Sequence, residues 1–148
     1  MFIKICLFLA LHVASVESSI AWMTSFFTVH DYADILRQIC WRESRCTYQG
    51  LHAIDQKYSL TVWKKMVQRG LLRPHTCPFH RNPYEWSTSG PYGLMRAYHW
   101  GFLQGLCVPP WIIDIPPIAT WVAFQKLKKH CQNHCTYQLS RKYWKGKK

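Results

Sequence analysis

The chain has 148 residues, which is enough for one domain with a hydrophobic core and too few for two. Its 19 Lys and Arg outnumber its 7 Asp and Glu, so the formal net charge is +12 at neutral pH. Such a charge favours polyanionic partners, namely nucleic acid, anionic membranes or cell-wall polymers.

The start of the chain is typical of a signal peptide. It has a basic residue, Lys4, followed by an apolar run over 5–16 and small residues at 18, 19 and 21. The apolar run is short for a permanent membrane span. We therefore predict a signal peptide over 1–19 and a secreted or periplasmic domain over 20–148, with an uncleaved signal anchor as the alternative.

Cysteine usage agrees with secretion. Cys6 lies in the leader, and the remaining cysteines are Cys40, Cys46, Cys77, Cys107, Cys131 and Cys135. An even number of cysteines in an oxidising compartment predicts disulfides, whose pairing the sequence leaves open. The segment 130–135 (HCQNHC) also offers His and Cys pairs at one-turn spacing, as a zinc site would. Disulfides are the favoured interpretation, so we predict no metal and no cofactor.

The first helix is predicted from Asp31, a good N-cap residue, to about Ser44. Its apolar residues over 35–40 recur at helical spacing. Glu43 follows Ile39 by one turn and therefore lies on the apolar stripe rather than on the wet face. Because burial disfavours the charged form of a lone carboxyl, this position suits a general acid.

Further helices follow after polar interruptions. One is predicted to be capped by Ser59 and to stop at Gly70, and its inward residues are Leu60, Trp63 and Val67. Residues 73–91 are predicted as a loop with short strands, and a helix is predicted to begin within 93–99. The last helix is predicted to open at Asp114 as its cap, and its apolar residues include Ile118, Trp121, Val122 and Leu127.

Three segments occur in an order that is typical of a known family. WRESR at 41–45 is similar to a helix-end Glu-Ser pair, and SGPYGLM at 89–95 is similar to a cleft-lining Gly-x-x-Gly-Leu-Met segment. The proline-rich stretch 107–116 is similar to the segment that precedes a helix behind the site. Together they resemble the lysozyme-like lytic transglycosylase family, in its divergent, phage-related type, over about residues 32–130.

The resemblance implies a mainly α, lysozyme-like α+β fold: a single helical domain with a loop-rich cleft, stabilised here by disulfides. It implies cleavage of the MurNAc–GlcNAc bond in peptidoglycan glycan strands, with Glu43 as the catalytic residue. The residues predicted to contact the glycan are Ser44, Trp86, Gly90, Tyr92, Gly93, Leu94, Met95, Tyr98 and Tyr137. The family's Ala-Tyr-Asn segment reads HCTYQ here at 134–138, so either Tyr137 or Tyr98 takes the place of its tyrosine.

Glycosidic cleavage needs a proton donor at the bridging oxygen and stabilisation of an oxocarbenium-like state. The resemblance implies that Glu43 alone donates a proton and takes one back while the sugar's own hydroxyl closes a 1,6-anhydro ring. A two-carboxylate lysozyme is the alternative, with Glu85 or Asp55 as the second acid. The structural interpretation of Glu43 is an ion-paired acid at a helix end, with Arg42 and Arg45 as neighbours.

A function of another class is a cationic antibacterial protein that binds walls or membranes without catalysis. Basic and aromatic residues alternate at 142–145, which fits such a protein. A lysozyme-like domain that only binds wall glycans is a third interpretation. No nucleic-acid motif occurs and secretion argues against that partner. We therefore predict a monomer whose partners are peptidoglycan strands and an anionic cell-wall surface, not nucleic acid.

Overall fold

The computed structural model describes residues 15–26, 31–48, 50–53, 55–99, 105–131 and 136. Within these ranges the helices are α1 (Val16–Phe26), α2 (Asp31–Ser44), α3 (Gln56–Gln68), α4 (Arg96–His99) and α5 (Pro116–Cys131). The strands are β1 (Leu51–Ala53), β2 (Thr88–Ser89) and β3 (Leu94–Met95). Short 3₁₀ helices occur at Pro78–His80, Pro83–Trp86 and Pro110–Asp114. The predicted class, a small and mostly helical domain with a loop-rich middle, is confirmed.

The core lies between α1, α2 and α5, which pack against one another. Helix α2 contributes its predicted apolar stripe, and Ile35, Leu36 and Ile39 are all buried. Its Tyr32 ring meets Phe124 of α5 edge to face, with the ring centroids 5.3 Å apart. The predicted bounds of α2 are also confirmed, so Glu43 stands in the last turn of a helix whose opposite end is fixed in the core.

Helix α1 crosses the predicted boundary between leader and domain. Val16 and Ile20 are buried in the core, and the Ser15 hydroxyl accepts a hydrogen bond from the Ser18 amide at 3.0 Å, as an N-cap does. Glu17 forms an ion pair of 2.7 Å with Arg37 of α2. A chain cut at the predicted boundary would lose this cap, two buried residues (Val16 and Ser19) and the ion pair.

Helix α3 begins earlier than predicted. Asp55, not Ser59, is its N-cap, and the Asp55 carboxylate accepts a hydrogen bond from the Tyr58 amide at 2.8 Å. Ser59 lies inside the helix, where its hydroxyl is buried against that of Ser87. The inward face is Ser59, Val62 and Met66, whereas the predicted residues Leu60, Trp63 and Val67 are half-buried beside it. The stripe is rotated because a buried hydroxyl pair, which a hydropathy pattern does not register, occupies its first turn.

The sheet is antiparallel in the order β1-β2-β3, with Ser89 opposite Leu94 and Thr88 opposite Met95. The predicted helix within 93–99 is therefore a strand followed by the short helix α4. Helix α5 begins at Pro116 rather than at Asp114, which ends the preceding 3₁₀ helix. The prolines at 116 and 117 suit a first helical turn, where a backbone N–H is not required.

Disulfides join Cys40 to Cys46 and Cys77 to Cys107. They indicate an oxidising, extracellular-type environment. The prediction that Cys131 and Cys135 also form disulfides concerns the side chain of Cys131 and residue 135, which lie outside the described part of the chain. Among the helices that the structure describes, none combines the length and apolarity that a bilayer span needs.

A chain that begins at Ile20 should be less stable than one that begins at Ser15, by about 2 kcal/mol or more. The loss combines a helix cap with the burial of Val16. Denaturant unfolding of both chains with their disulfides intact measures the difference. The matched control is Ser15→Ala in the longer chain, which should lose about 1 kcal/mol for the cap alone. Equal unfolding free energies for the two chains would show that residues 15–19 contribute nothing to the fold.

Candidate active site

Glu43 lies in the last turn of α2, and its carboxylate faces the turn between β2 and β3. One oxygen, Oε1, accepts hydrogen bonds from Nε and Nη2 of Arg42 at 3.0 and 2.7 Å. The side chain keeps 28% of its surface exposed, so solvent and ligands can reach it. The predicted lone carboxyl is thus an ion-paired one, and the neighbour is Arg42 rather than Arg45, whose guanidinium lies 5.0 Å from the Trp41 ring centroid.

Ser44 fixes the end of α2 to that hairpin. Its buried hydroxyl donates to the carbonyl oxygen of Pro91 at 2.8 Å and also lies 3.3 Å from the Cys40 carbonyl oxygen. The turn itself closes through the Gly93 amide, which donates to the Gly90 carbonyl oxygen at 3.2 Å. The Glu-Ser pair and the Gly-x-x-Gly segment are therefore in direct contact, although 47 residues separate Ser44 from Pro91.

Because Gly93 has no side chain, the Glu43 carboxylate can lie close to its backbone. A Cβ at this position would lie 2.8 Å from Oε2 of Glu43, closer than real Cβ contacts allow. Gly90 makes a comparable approach to Asp114, whose Oδ1 would lie 3.0 Å from a Cβ there. Both glycines have a positive φ, which side chains with a Cβ rarely adopt. The two glycines therefore form the turn and also allow the carboxylates of Glu43 and Asp114 to approach its backbone closely.

The backbone just after Glu43 is unusual. Arg45 and Cys46 both adopt the left-handed conformation, with φ of 59° and 57°, although neither is glycine. The Cys46 amide donates to the Cys40 carbonyl oxygen at 3.0 Å, and the same two residues form a disulfide. This bridge maintains two uncommon conformations in succession, and backbone strain of this kind clusters at functional sites.

Asp114 has a different role from the predicted helix cap. It is buried in an ion pair with Arg96, and its Oδ1 accepts a hydrogen bond from Ser89 at 2.5 Å. Arg96 also donates to Ser89 and, at 2.7 Å, to the backbone carbonyl oxygen of Glu85. Burial raises the pKa of Asp114, while Arg96 and Ser89 act in the opposite direction. The network ties β2 and α4 to the segment before α5.

The predicted glycan-contacting aromatics divide into buried and exposed residues. Trp86 and Tyr92 are completely buried, so neither ring can stack on a sugar in this structure. Trp86 meets His80 edge to face, and the Tyr92 hydroxyl pairs with that of Thr120 at 2.9 Å. Leu94 is buried and Met95 half-buried. Trp86 and Tyr92 lie close to the motif in sequence, but both rings are in the core beneath it.

Tyr98 is 46% exposed and forms a side-chain hydrogen bond with Tyr58, which is 47% exposed. Burial raises the pKa of Tyr58, and the bond to Tyr98 adds to that effect. Two exposed rings whose hydroxyls meet offer an apolar face with a polar edge, the surface that suits a sugar ring. Tyr58 carried no signal in the sequence, since it lies far from every motif. Tyr137 lies outside the described residues.

Two partly buried basic residues, Lys126 and His99, carried no signal of their burial in the sequence. Lys126 of α5 is half-buried, and burial lowers its pKa to about 8, against the opposing effect of Glu43. Burial lowers the pKa of His99 to about 3, and the charges of Lys126 and His130 add to this effect. Lys126 could be identified from the sequence only as part of a basic helix end. Its relation to Glu43 depends on how α5 packs.

No group of residues in the described ranges could hold a metal ion. The zinc interpretation concerned 130–135, where the side chain of Cys131 and residues 132–135 lie outside the described part of the chain. The sequence matches no protein-family model, and no curated protein or solved structure is significantly similar to it.

His99 should make the fold sensitive to acid. Its pKa is about 3 in the folded protein against 6.5 for a free histidine, so the unfolded state binds more protons between these values. Stability is therefore complete above about pH 6.5 and falls as the pH decreases toward 3. His99→Gln should flatten this decline in thermal melts between pH 6.5 and 4. The control His75→Gln, at an exposed turn, should leave the slope unchanged, and an unchanged slope for His99→Gln would contradict the assignment.

Proposed function

We propose that this protein is a peptidoglycan-cleaving lytic transglycosylase that acts on the MurNAc–GlcNAc bond with Glu43 as its single acid and base. The observation that carries the proposal is the contact between the Glu43 carboxylate and Gly93 in the glycine hairpin. The acid stands at a helix end, packs closely against a residue without a side chain and stays partly exposed, so a substrate can approach it from solvent.

In the proposed reaction Glu43 first donates one proton and later accepts one. Glu43 protonates the bridging oxygen, and the bond to the anomeric carbon breaks to release the GlcNAc hydroxyl. The C6 hydroxyl of the muramoyl residue attacks the anomeric carbon and gives its proton to the Glu43 carboxylate. The product is a 1,6-anhydro ring, no water is consumed, and Glu43 returns to its initial state.

The positions of other carboxylates support a single-acid scheme. Asp55 caps α3, Asp34 pairs with Arg37, and Asp114 is buried in its network. Glu85 is exposed on a 3₁₀ helix, and its Oε1 accepts a hydrogen bond from Nδ2 of Asn82 at 3.4 Å. Of the two acids suggested for a hydrolytic lysozyme, Asp55 is thus engaged in a structural bond, and Glu85 is the candidate that this alternative requires.

The non-enzymatic alternative, a cationic protein that binds walls or membranes, has one observation in its favour. Several tryptophans are exposed on this strongly basic chain, namely Trp22, Trp41, Trp111 and Trp121. Tryptophan beside basic residues is typical of interfacial binding. Such a protein would bind its target equally well with or without the Glu43 carboxylate.

Glu43→Gln should reduce cleavage of purified peptidoglycan by on the order of a hundredfold or more, because the amide cannot donate or accept the catalytic proton. Loss of turbidity measures the rate, and a thermal melt checks that the variant is folded. The matched control is Glu85→Gln, an exposed acid of the same type, which should retain activity. Near wild-type cleavage by folded Glu43→Gln would refute the proposed role, and unchanged wall binding without any cleavage in wild type would favour the cationic binder.

A further inference from the structure

The turn that joins β2 to β3 consists of residues 90–93, and other elements contact it at every position. Its two glycines lie against carboxylates, and the carbonyl oxygen of Pro91 accepts the hydrogen bond from Ser44. At the remaining position the ring of Tyr92 is completely buried, and its hydroxyl pairs with that of Thr120 at 2.9 Å. The turn is therefore attached to α2 on one side and to α5 on the other.

The two helices are also joined to each other. The Phe124 ring of α5 meets the Tyr32 ring of α2 edge to face. Thr120 stands one helical turn before Phe124 and shares its face of α5. Helix α2, the turn and α5 thus contact one another in pairs, and each contact limits the movement of the other two elements. The bond from Tyr92 to Thr120 is the part of this arrangement that joins the turn to α5.

The chemistry of this bond suits a fixed connection. A buried hydroxyl without a partner costs free energy, so each of the two hydroxyls needs the other. Two apolar side chains would fill the same space without that requirement, but their contact would not have the directionality of a hydrogen bond. Burial raises the pKa of Tyr92 above that of a free tyrosine, so the hydroxyl keeps its proton near neutral pH. The pair is therefore a directional connection that does not change with the charge of either residue.

We infer that Tyr92 and Thr120 are positioning residues that hold Gly93 against the Glu43 carboxylate during the reaction. The inference rests on the proposed function. Tyr92 directly precedes Gly93 in the chain, so a movement of the tyrosine moves the glycine as well. The carboxylate must keep its place because it donates a proton in the first step and accepts one in the second, and small displacements of reacting groups reduce rates strongly. Tyr92 thus serves the reaction from the core side of the turn, without touching the sugar.

The test measures cleavage of soluble peptidoglycan strands by Tyr92→Phe, Thr120→Val and the double variant. Each single variant should lower kcat about tenfold and leave KM nearly unchanged, because the hydroxyls hold the acid in place and do not touch the substrate. The double variant should lose no more than either single one, since all three lack the same bond. Thr120→Ser keeps a hydroxyl and should retain most of the wild-type kcat.

The matched control is Ser59→Ala, which removes one partner of another buried hydroxyl pair, that of Ser59 and Ser87. It should lower the melting temperature by roughly the same few degrees as Thr120→Val, but leave kcat unchanged. Wild-type kcat in both Tyr92→Phe and Thr120→Val would overturn the inference. An equal loss of kcat in Ser59→Ala would also overturn it, because the loss would then follow stability alone.

A second readout needs no activity. Because Gly93 lies against the Glu43 carboxylate, its NMR signals should follow the titration of that carboxyl, and Glu43→Gln should abolish the response. Tyr92→Phe and Thr120→Val should weaken the response, whereas Ser59→Ala should match wild type. A wild-type response in the two folded variants would overturn the inference. If wild type cleaves no peptidoglycan, the proposed function fails, and this titration alone decides whether the hydroxyl pair positions Gly93.

Discussion

A buried hydrogen bond from Ser44 to the Pro91 carbonyl oxygen joins the end of α2 to the turn between β2 and β3. The position of Glu43 opposite Gly93 depends on it. If the helix end moved away, the carboxylate would lose the glycine that makes room for it. Other contacts restrict the same junction from both sides: the Cys40–Cys46 bridge after the helix, and the Tyr92 hydroxyl on Thr120 beneath the turn.

A second constraint is electrostatic. Oε1 of Glu43 accepts two hydrogen bonds from Arg42, and Oε2 lies beside Gly93. This ion pair fixes the orientation of the carboxylate. In the proposed scheme Glu43 acts as an acid first and as a base second. The proposed intramolecular attack by the sugar hydroxyl requires that base.

The buried charge network plays a supporting part. Arg96 and Asp114 bring together residues from the hairpin, from α4 and from the segment before α5. Breaking such a pair by removing one partner typically costs about 3–5 kcal/mol, because the remaining charge is buried without compensation. The network also lies against the glycine turn, because Asp114 approaches Gly90 closely. It therefore maintains the shape of the hairpin that Glu43 faces.

Features that depend on neighbouring residues could be predicted from the sequence, whereas features that depend on contacts between distant residues could not. Helix α2 and the place of Glu43 in its last turn follow from local periodicity and capping, and both were predicted. Asp114 resembles a helix cap in the sequence. In the structure it forms an ion pair with Arg96, and no local sequence pattern reveals that contact. Trp86 and Tyr92 stand beside the glycine motif in sequence, yet their partners His80 and Thr120 lie in the core, and those contacts depend on the fold.

Helix α1 illustrates the same point. The burial of Val16 and Ile20 depends on the packing of α1 against α2 and α5, which no local pattern reveals. Lys126 and His99 gain their shifted pKa values from packing between helices that are distant in sequence. Residues of this kind become visible only when the fold is known.

The mass of the cleavage products tests the central claim most directly. If Glu43 is the single acid and base, digestion of purified glycan strands by the wild-type protein yields 1,6-anhydromuramoyl ends, each lighter by one water than a hydrolysed end. If the products instead carry only reducing ends, and Glu85→Gln stops their formation, water is the attacking group and a second carboxylate takes part. That result would contradict the account and identify a two-carboxylate lysozyme.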